Sequence, residues 1–251
     1  MGCGPGIEEV STVQYLLIHL SDEGIAASKP WDESAQASLE AWLEESISEK
    51  VNLHGSRLRP PSDATTVKVR QGELVVTDGP FAETKEQVAG YDLLECTDMA
   101  EAVQWASKHP SVQIGAIEVR PLHDYQPPAG LPEPAPGKRR YMMLVCTDPS
   151  LDVDELGPIA PVDPWVEATE RRGARRFGSQ LDEPASARTV RVRDGQTFVT
   201  DGPFAETKEQ IAGFDILDCA DLDEALEMAA KHPMARHGIL EVRPFWPFGQ
   251  G

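Results

Sequence analysis

Apolar and polar positions alternate along this chain in two rhythms, one of strands and one of helices. VQYLLIHL from Val13 is a short, nearly all-apolar run, the pattern of a buried strand. SLEAWLEESISEKV places Leu39, Trp42, Leu43, Ile47 and Val51 at helical spacing with acids opposite, which predicts a helix over Ser38–Lys50. A short strand is expected near Ser56–Leu58. TTVKVRQGELVVTDG reads as a hairpin, because Val67 and Val69 alternate with charges and Gln71-Gly72 supplies the turn. GYDLLEC predicts another strand. DMAEAVQWASKH predicts a helix with Asp98 as its N-cap and Pro110 as its stop. GAIEVRPL is the last strand.

The same order then returns. TDGPFAETKEQ stands at Thr77–Gln87 and again, unchanged, at Thr200–Gln210. ATTVKVRQGELVVTDGPFAETKEQVAGYDLLECTDMAEAVQWASKHP from Ala64 matches ARTVRVRDGQTFVTDGPFAETKEQIAGFDILDCADLDEALEMAAKHP from Ala187, and EVRP recurs at Glu118 and Glu241. Trp42 answers Trp165, and Tyr15 answers Tyr141. The second hairpin carries Asp194-Gly195, a strong type I′ signal. Between the copies lie five prolines from Gln126 to Gly137, which read as a semi-rigid tether. The expected organisation is therefore a first unit at 13–122, a linker at 123–139 and a second unit at 140–245.

Each unit has the order β-α-β-(hairpin)-β-α-β, the ferredoxin-like plan with an inserted hairpin. The fold class is α+β. One such unit covers a single face of its sheet and needs a partner on the other. Two units in one chain predict an intramolecular, pseudo-dimeric α/β barrel. The competing arrangement is two separate domains, each dimerising with another chain.

Composition narrows the function classes. The chain has 251 residues, 40 % of them hydrophobic, and a formal charge of −19. That acidity argues against nucleic acid and against an anionic membrane surface, since both need Lys and Arg. No run is long and apolar enough for a membrane span, and MGCGPGIEEV lacks the layout of a secretory signal. A cytoplasmic protein is expected. Cys3, Cys96, Cys146 and Cys219 form no C-x-x-C pair, and Cys96 and Cys219 share one position of the repeat, so they read as small buried hydrophobes. No metal-ligand spacing, dinucleotide fingerprint, P-loop or nucleophile elbow occurs, and neither metal nor cofactor is expected.

ATTVKVRQGELVVTDGPFAETKEQVAGYDLLE and its twin resemble the YCII-related proteins of the DGPF type. The resemblance covers most of both units and implies a dimeric ferredoxin-like barrel with a cleft at the sheet interface. It also implies a link to extracytoplasmic-function sigma factors, and relatives that eliminate or rearrange small aromatic compounds. In some YCII proteins a His on or near the first helix pairs with an Asp. Here neither Ser38–Lys50 nor its counterpart Pro164–Arg172 holds a His, so that dyad is not carried over.

The repeated loop has a structural account. Asp78-Gly79-Pro80 is turn chemistry, Phe81 is an anchor, Thr84 with Gln87 fits a capping box, and Gly90 would end a helical turn. Its acids also suit chemistry, with Asp78 or Asp201 as a general base and Lys85 or Lys208 holding an anion. His109 and His232, in KHP, read as cationic helix caps. His19 faces Val145 in the repeat, and His54, Arg57 and Arg59 face Phe177, Gln180 and Asp182. This asymmetry points to a cleft lined by His19, His54, Arg57 and Asp78, with Arg59 as a further binding group. Asp92 and Asp215 stand mid-strand, with Arg120 and Arg243 as expected partners.

Two functions follow. The first is a small-molecule cleft with cofactor-free acid/base chemistry, an elimination, isomerisation or cyclisation of an anionic or phenolic substrate. Asp78, Asp201 and His54 would be its catalytic groups, and His19, Arg57, Arg59, Lys85, Asp92, Lys208 and Asp215 its binding groups. The second is a non-catalytic accessory or regulatory protein with a protein partner such as a sigma factor. The expected assembly is a monomeric pseudo-dimer or a homodimer.

Overall fold

The structure, a computed structural model, describes residues 11–22, 31–82, 86–123, 131–148, 150–152, 156–204 and 209–246. The first unit runs β1 (Val13–Asp22), α1 (Glu33–Ser48), β2 (Asn52–Leu58), β3 (Thr65–Arg70), β4 (Glu73–Asp78), β5 (Glu86–Cys96), α2 (Met99–Lys108) and β6 (Gly115–Pro121). The second runs β7 (Arg139–Thr147), α3 (Asp163–Arg171), β8 (Arg175–Gln180), β9 (Arg188–Arg193), β10 (Gln196–Asp201), β11 (Ile211–Cys219), α4 (Leu222–Lys231), α5 (Met234–His237) and β12 (Gly238–Trp246). No helix among the described residues is long and apolar enough to cross a membrane.

The strands of unit one pair in the antiparallel order β6-β1-β5-β2, and those of unit two in the order β12-β7-β11-β8. The sheets join at two seams. At one, Phe245 lies opposite Leu58 and Trp246 opposite Arg57. At the other, Leu122 bridges Leu181, and Asp182 N–H donates to Pro121 O at 3.0 Å. Eight strands thus close into a barrel within one chain. Its interior is packed by Leu16, Ile18, Tyr91, Leu93 and Met142, Leu144, Phe177, Phe214. Each such side chain contributes about 1.5–3 kcal/mol on burial.

The hairpins are exchanged. β3 pairs with β12 through Val67–Leu240, and β9 pairs with β6 through Val190–Ile117. Gln71 and Gly72, like Asp194 and Gly195, have positive φ, as a type I′ turn requires. Arg70 donates to Ala235 O and Gly238 O, while Arg193 donates to Val112 O and Gly115 O. Phe81 and Phe204 pack against the barrel core as anchors. Their backbone N–H groups donate to Glu241 Oε2 at 2.9 Å and to Glu118 Oε2 at 3.1 Å. The repeated loop therefore fastens each hairpin to the opposite unit.

Several sequence expectations need correction. α1 starts a turn early, at Glu33, because Asp32 caps it by accepting from Ala35 N–H. Its buried face is Leu39, Trp42 and Ser46, and Ile47 lies 60 % exposed. β2 begins at Asn52, not Ser56. Thr84 falls outside the described residues, but Gln87 and Gly90 lie within β5, so neither belongs to a helical turn. A Cβ on Gly90 would sit 2.8 Å from Ser56 O, which explains that glycine by close strand approach. Arg120 and Arg243 do not meet Asp92 and Asp215. They point into the barrel, where each pairs with the glutamate two residues before it, Glu118 or Glu241.

Candidate functional site

The outer face of the unit-one sheet carries a polar cluster beneath α1. Alternation along β1 and β5 sends His19 and Asp92 to this face and Tyr91 and Leu93 to the barrel interior. A β-bulge between His19 and Leu20 alters the strand at this point. His19 Nε2 lies 2.7 Å from Asp92 Oδ2, and both side chains are buried. His19 Nδ1 lies 2.8 Å from Ser111 Oγ, and so does His109 Nδ1. Asn52 donates to Asp92 Oδ1 at 3.2 Å. His109 Nε2 stands 3.8 Å from Asp92, and its ring sits edge-on to Trp42.

Hydrogen-bond accounting fixes most protons here. Ser111 N–H donates to His109 Nδ1, so that nitrogen is an acceptor. The Ser111 hydroxyl then donates to it as well, and accepts from His19 Nδ1–H. One proton remains, between His19 Nε2 and Asp92. Both His19 nitrogens are engaged, whereas among the described residues Asp92 Oδ1 accepts from Asn52 alone, so lone-pair capacity toward a ligand belongs to the carboxylate. Burial, helped by His19, holds the His109 imidazole well below its usual pKa. His109 is thus a neutral partner, not the cationic helix cap expected from KHP. Burial and Arg175 likewise take His232 down to about 4.

The cluster opens into a cavity of about 460 Å³ whose apolar wall includes Leu39, Leu43 and Ile114 and whose rim carries Arg57. The Arg57 guanidinium lies 4.5 Å from the Trp246 ring centre, so the opposite unit holds it. His19, Asp92 and His109 each offer one atom to a metal within 4.8 Å of the others. The proton on His109 Nε2, required by the Ser111 contact, stands where such an ion would bind.

Unit two carries other side chains in the equivalent place. Val145 replaces His19, Met234 replaces Ser111, and Arg175 replaces Asn52. Arg175 Nε sits 2.6 Å from Asp215 Oδ1 and its other nitrogens reach Glu170 and Gly178 O. Burial lifts Asp215 to about 6 against the pull of Arg175.

The residues expected to form one cleft are distributed. His19, Asp92 and Arg57 share the cavity under α1. His54 faces the barrel side, where its Nδ1 meets Tyr91 Oη at 2.7 Å, and it lines a separate groove with Arg59 and Asp78. Asp78 is exposed at the end of β4, opposite Thr65. Asp201 is 89 % exposed and pairs with Arg188 at 3.0 Å. Arg59 pairs with Asp63, and Lys85 and Lys208 lie outside the described residues. A His–Asp pair does exist, contrary to the inference drawn from the helix, because strands rather than a helix supply it. Asn52, His109 and Ser111 were not nominated as site residues. The signal for Asn52 and Ser111 was the difference between the repeats at 52/175 and 111/234, while His109 is repeated as His232 and carried no such signal.

An uncharacterised protein of Rhizobium meliloti (strain 1021) is 36 % identical over 119 residues, covering 45 % of this chain and 94 % of its own. Among solved structures, a heme-binding protein from Thermus thermophilus aligns with a TM-score of 0.42 at 9 % identity, over 94 % of this chain and 93 % of its own. A putative chlorite dismutase aligns with a TM-score of 0.38 at 9 % identity, over 94 % and 96 %. Residues 13–126 and 144–249 each match the YCII-related domain, and the chain belongs to that family, carrying its domain twice.

Proposed function

We propose that the cavity under α1 binds a small anionic molecule and moves a proton on it without a cofactor. The observation that supports this is the buried His19–Asp92 pair at 2.7 Å, opening into an apolar cavity with Arg57 at its rim. Asp92 Oδ1 takes a proton from a carbon next to a carbonyl or an aromatic ring. The abstracted proton stays on Asp92 Oδ1 while the one already between Asp92 Oδ2 and His19 keeps its place, and it returns either to another carbon, an isomerisation or cyclisation, or to a departing oxygen, an elimination. Asp92 is the catalytic residue. His19, Ser111 and His109 are positioning residues that fix where the proton rests. Arg57 orients the anion. This assigns the base to Asp92 in place of Asp78 or Asp201, which face solvent.

Proton abstraction is measurable before a natural substrate is known. Small keto acids and phenolic acids are incubated with the protein in D₂O, and deuterium entering carbon is followed by NMR. Incorporation is expected to fall roughly 100-fold or more in Asp92→Asn and to persist in Asp78→Asn/Asp201→Asn. Equal rates in Asp92→Asn and the parent chain would overturn the assignment.

A further inference from the structure

His54 and Tyr91 form a second polar pair, on the other face of the sheet and outside the chemistry just described. Tyr91 is 1 % exposed, and among the described residues its hydroxyl meets only His54 Nδ1. Burial keeps Tyr91 a phenol, far above its usual pKa, and burial with the nearby Arg140 takes His54 down to about 4. A buried phenol hydrogen needs an acceptor, so Tyr91 donates to Nδ1. The neutral ring then carries its own hydrogen on Nε2. Among the described residues that nitrogen has no partner, and His54 lines a groove of about 1200 Å³ beside the β2–β12 seam.

The duplication supplies an internal control. Phe177 and Phe214 occupy the positions of His54 and Tyr91 in unit two, packed edge to face at 5.7 Å between centres. The fold therefore fills this place without polar atoms. Burying an imidazole and a phenol costs more than burying two phenyl rings, so packing does not account for the pair. The groove is lined by four bases, Arg59, Lys138, Arg139 and Arg140, and by three acids, Asp63, Asp78 and Glu133. Arg59 pairs with Asp63 and Arg140 with Asp218, and among the described residues the Lys138 ammonium meets backbone carbonyls, those of Gly173 and Asp218. Phe245 and Leu131 give the groove an apolar wall.

We infer that this groove is a second ligand site, taking a small carboxylic acid with an apolar body. The carboxylate accepts from His54 Nε2–H, Lys138 meets its charge, and the body lies on Phe245 and Leu131. The site does not depend on the His19–Asp92 reading.

Benzoate is the probe. It is titrated into protein with ¹⁵N-labelled histidine, with exposed His123 as the reference ring. The expected result is a saturable shift of the His54 Nε2 resonance, absent with benzyl alcohol. Affinity should weaken by about tenfold or more in His54→Phe/Tyr91→Phe, which copies the packing of unit two and keeps its thermal midpoint. The double variant removes the reporter ring, so its affinity is read by calorimetry. Should it fail to fold, Lys138→Glu gives the answer, with a similar weakening expected. A His54 response no larger than that of His123, an equal response to benzyl alcohol, or unchanged affinity in the variant measured would overturn the proposal.

Discussion

Phe81 donates its backbone N–H to Glu241 at 2.9 Å, so the repeated loop of one unit is closed on the last strand of the other. Phe204 and Glu118 repeat the contact at 3.1 Å. Each glutamate also neutralises a buried arginine, Arg243 or Arg120, whose Nη1 donates to carbonyls of the opposite unit such as Val88 O and Ile211 O. The loop, the buried pair and the exchanged hairpin form one fastening, made twice.

Glu241→Gln should therefore cost about 3–5 kcal/mol, because it leaves Arg243 buried without its counter-charge. Glu118→Gln should cost a similar amount. Urea unfolding of each variant measures this. Midpoints equal to the parent's would show that the hairpins are held by their strand ladders alone.

The fold was legible because its local signals agreed. The glycine-containing hairpin turns, the N-cap Asp98 and the repeated strand pattern all pointed to one plan, and periodicity placed Asp92 on the correct face of β5. Exchange of the hairpins was not legible, since β3 presents the same alternation to either unit. The partners of Asp92 were hidden for another reason. His19, Asn52, His109 and Ser111 come from separate parts of the chain, so no spacing motif joins them all. Comparison of the repeats did point toward the site: His19 and His54 face Val145 and Phe177. What it did not separate was the two faces of the sheet, which put His19 in one cavity and His54 in another.

Acid should weaken the fold through its buried histidines. His54 and His232 are held near 4, and His109 well below its usual value, while in the unfolded chain they titrate at 6.5. Between those values the unfolded chain binds protons that the folded chain refuses, so stability falls as pH drops from about 6.5 toward 4. Asp215 opposes this. Lifted to about 6 from 3.8, it takes up a proton in the folded state first and favours folding as pH falls through that window. Three histidines against one carboxyl leave a net loss of about 1–3 kcal/mol per pH unit near pH 5. Urea unfolding at pH 7, 6 and 5 measures the slope, and His54→Phe should make it shallower.

Arg175 is the counter-charge of buried Asp215 in unit two. Arg175→Met would leave Asp215 buried without a cation, at a cost of about 3–5 kcal/mol at pH 7. Much of that loss should be recovered at pH 5, where the carboxyl is neutral. Proton exchange at the Asp92 site should be unchanged, since that site lies in the other unit. A stability loss independent of pH would mean that Arg175 acts by packing alone.

Gly55 separates the site from the fold. A Cβ at this position would lie 1.9 Å from Asp92 Oδ1, and one at Gly178 would lie 2.1 Å from Asp215 Oδ1. The two glycines hold the same place in the repeat and neither has a positive φ, so alanine meets only the carboxylate and nearby backbone. Gly55→Ala and Gly178→Ala should then each cost stability, about 1–3 kcal/mol as overpacking does, with the larger loss at Gly178, whose Cβ also lies 2.5 Å from Phe214 O. Their effects on proton exchange should differ. Gly55→Ala displaces the Asp92 carboxylate from His19 and should lower exchange by about tenfold or more. Gly178→Ala disturbs the Arg175–Asp215 pair and the Phe214 backbone, both in unit two, and should leave exchange at the parent rate. Thermal unfolding with deuterium incorporation on both variants checks the pair together. Equal loss of exchange in both would mean that it follows overall stability, and unchanged exchange in Gly55→Ala would remove Asp92 from the chemistry.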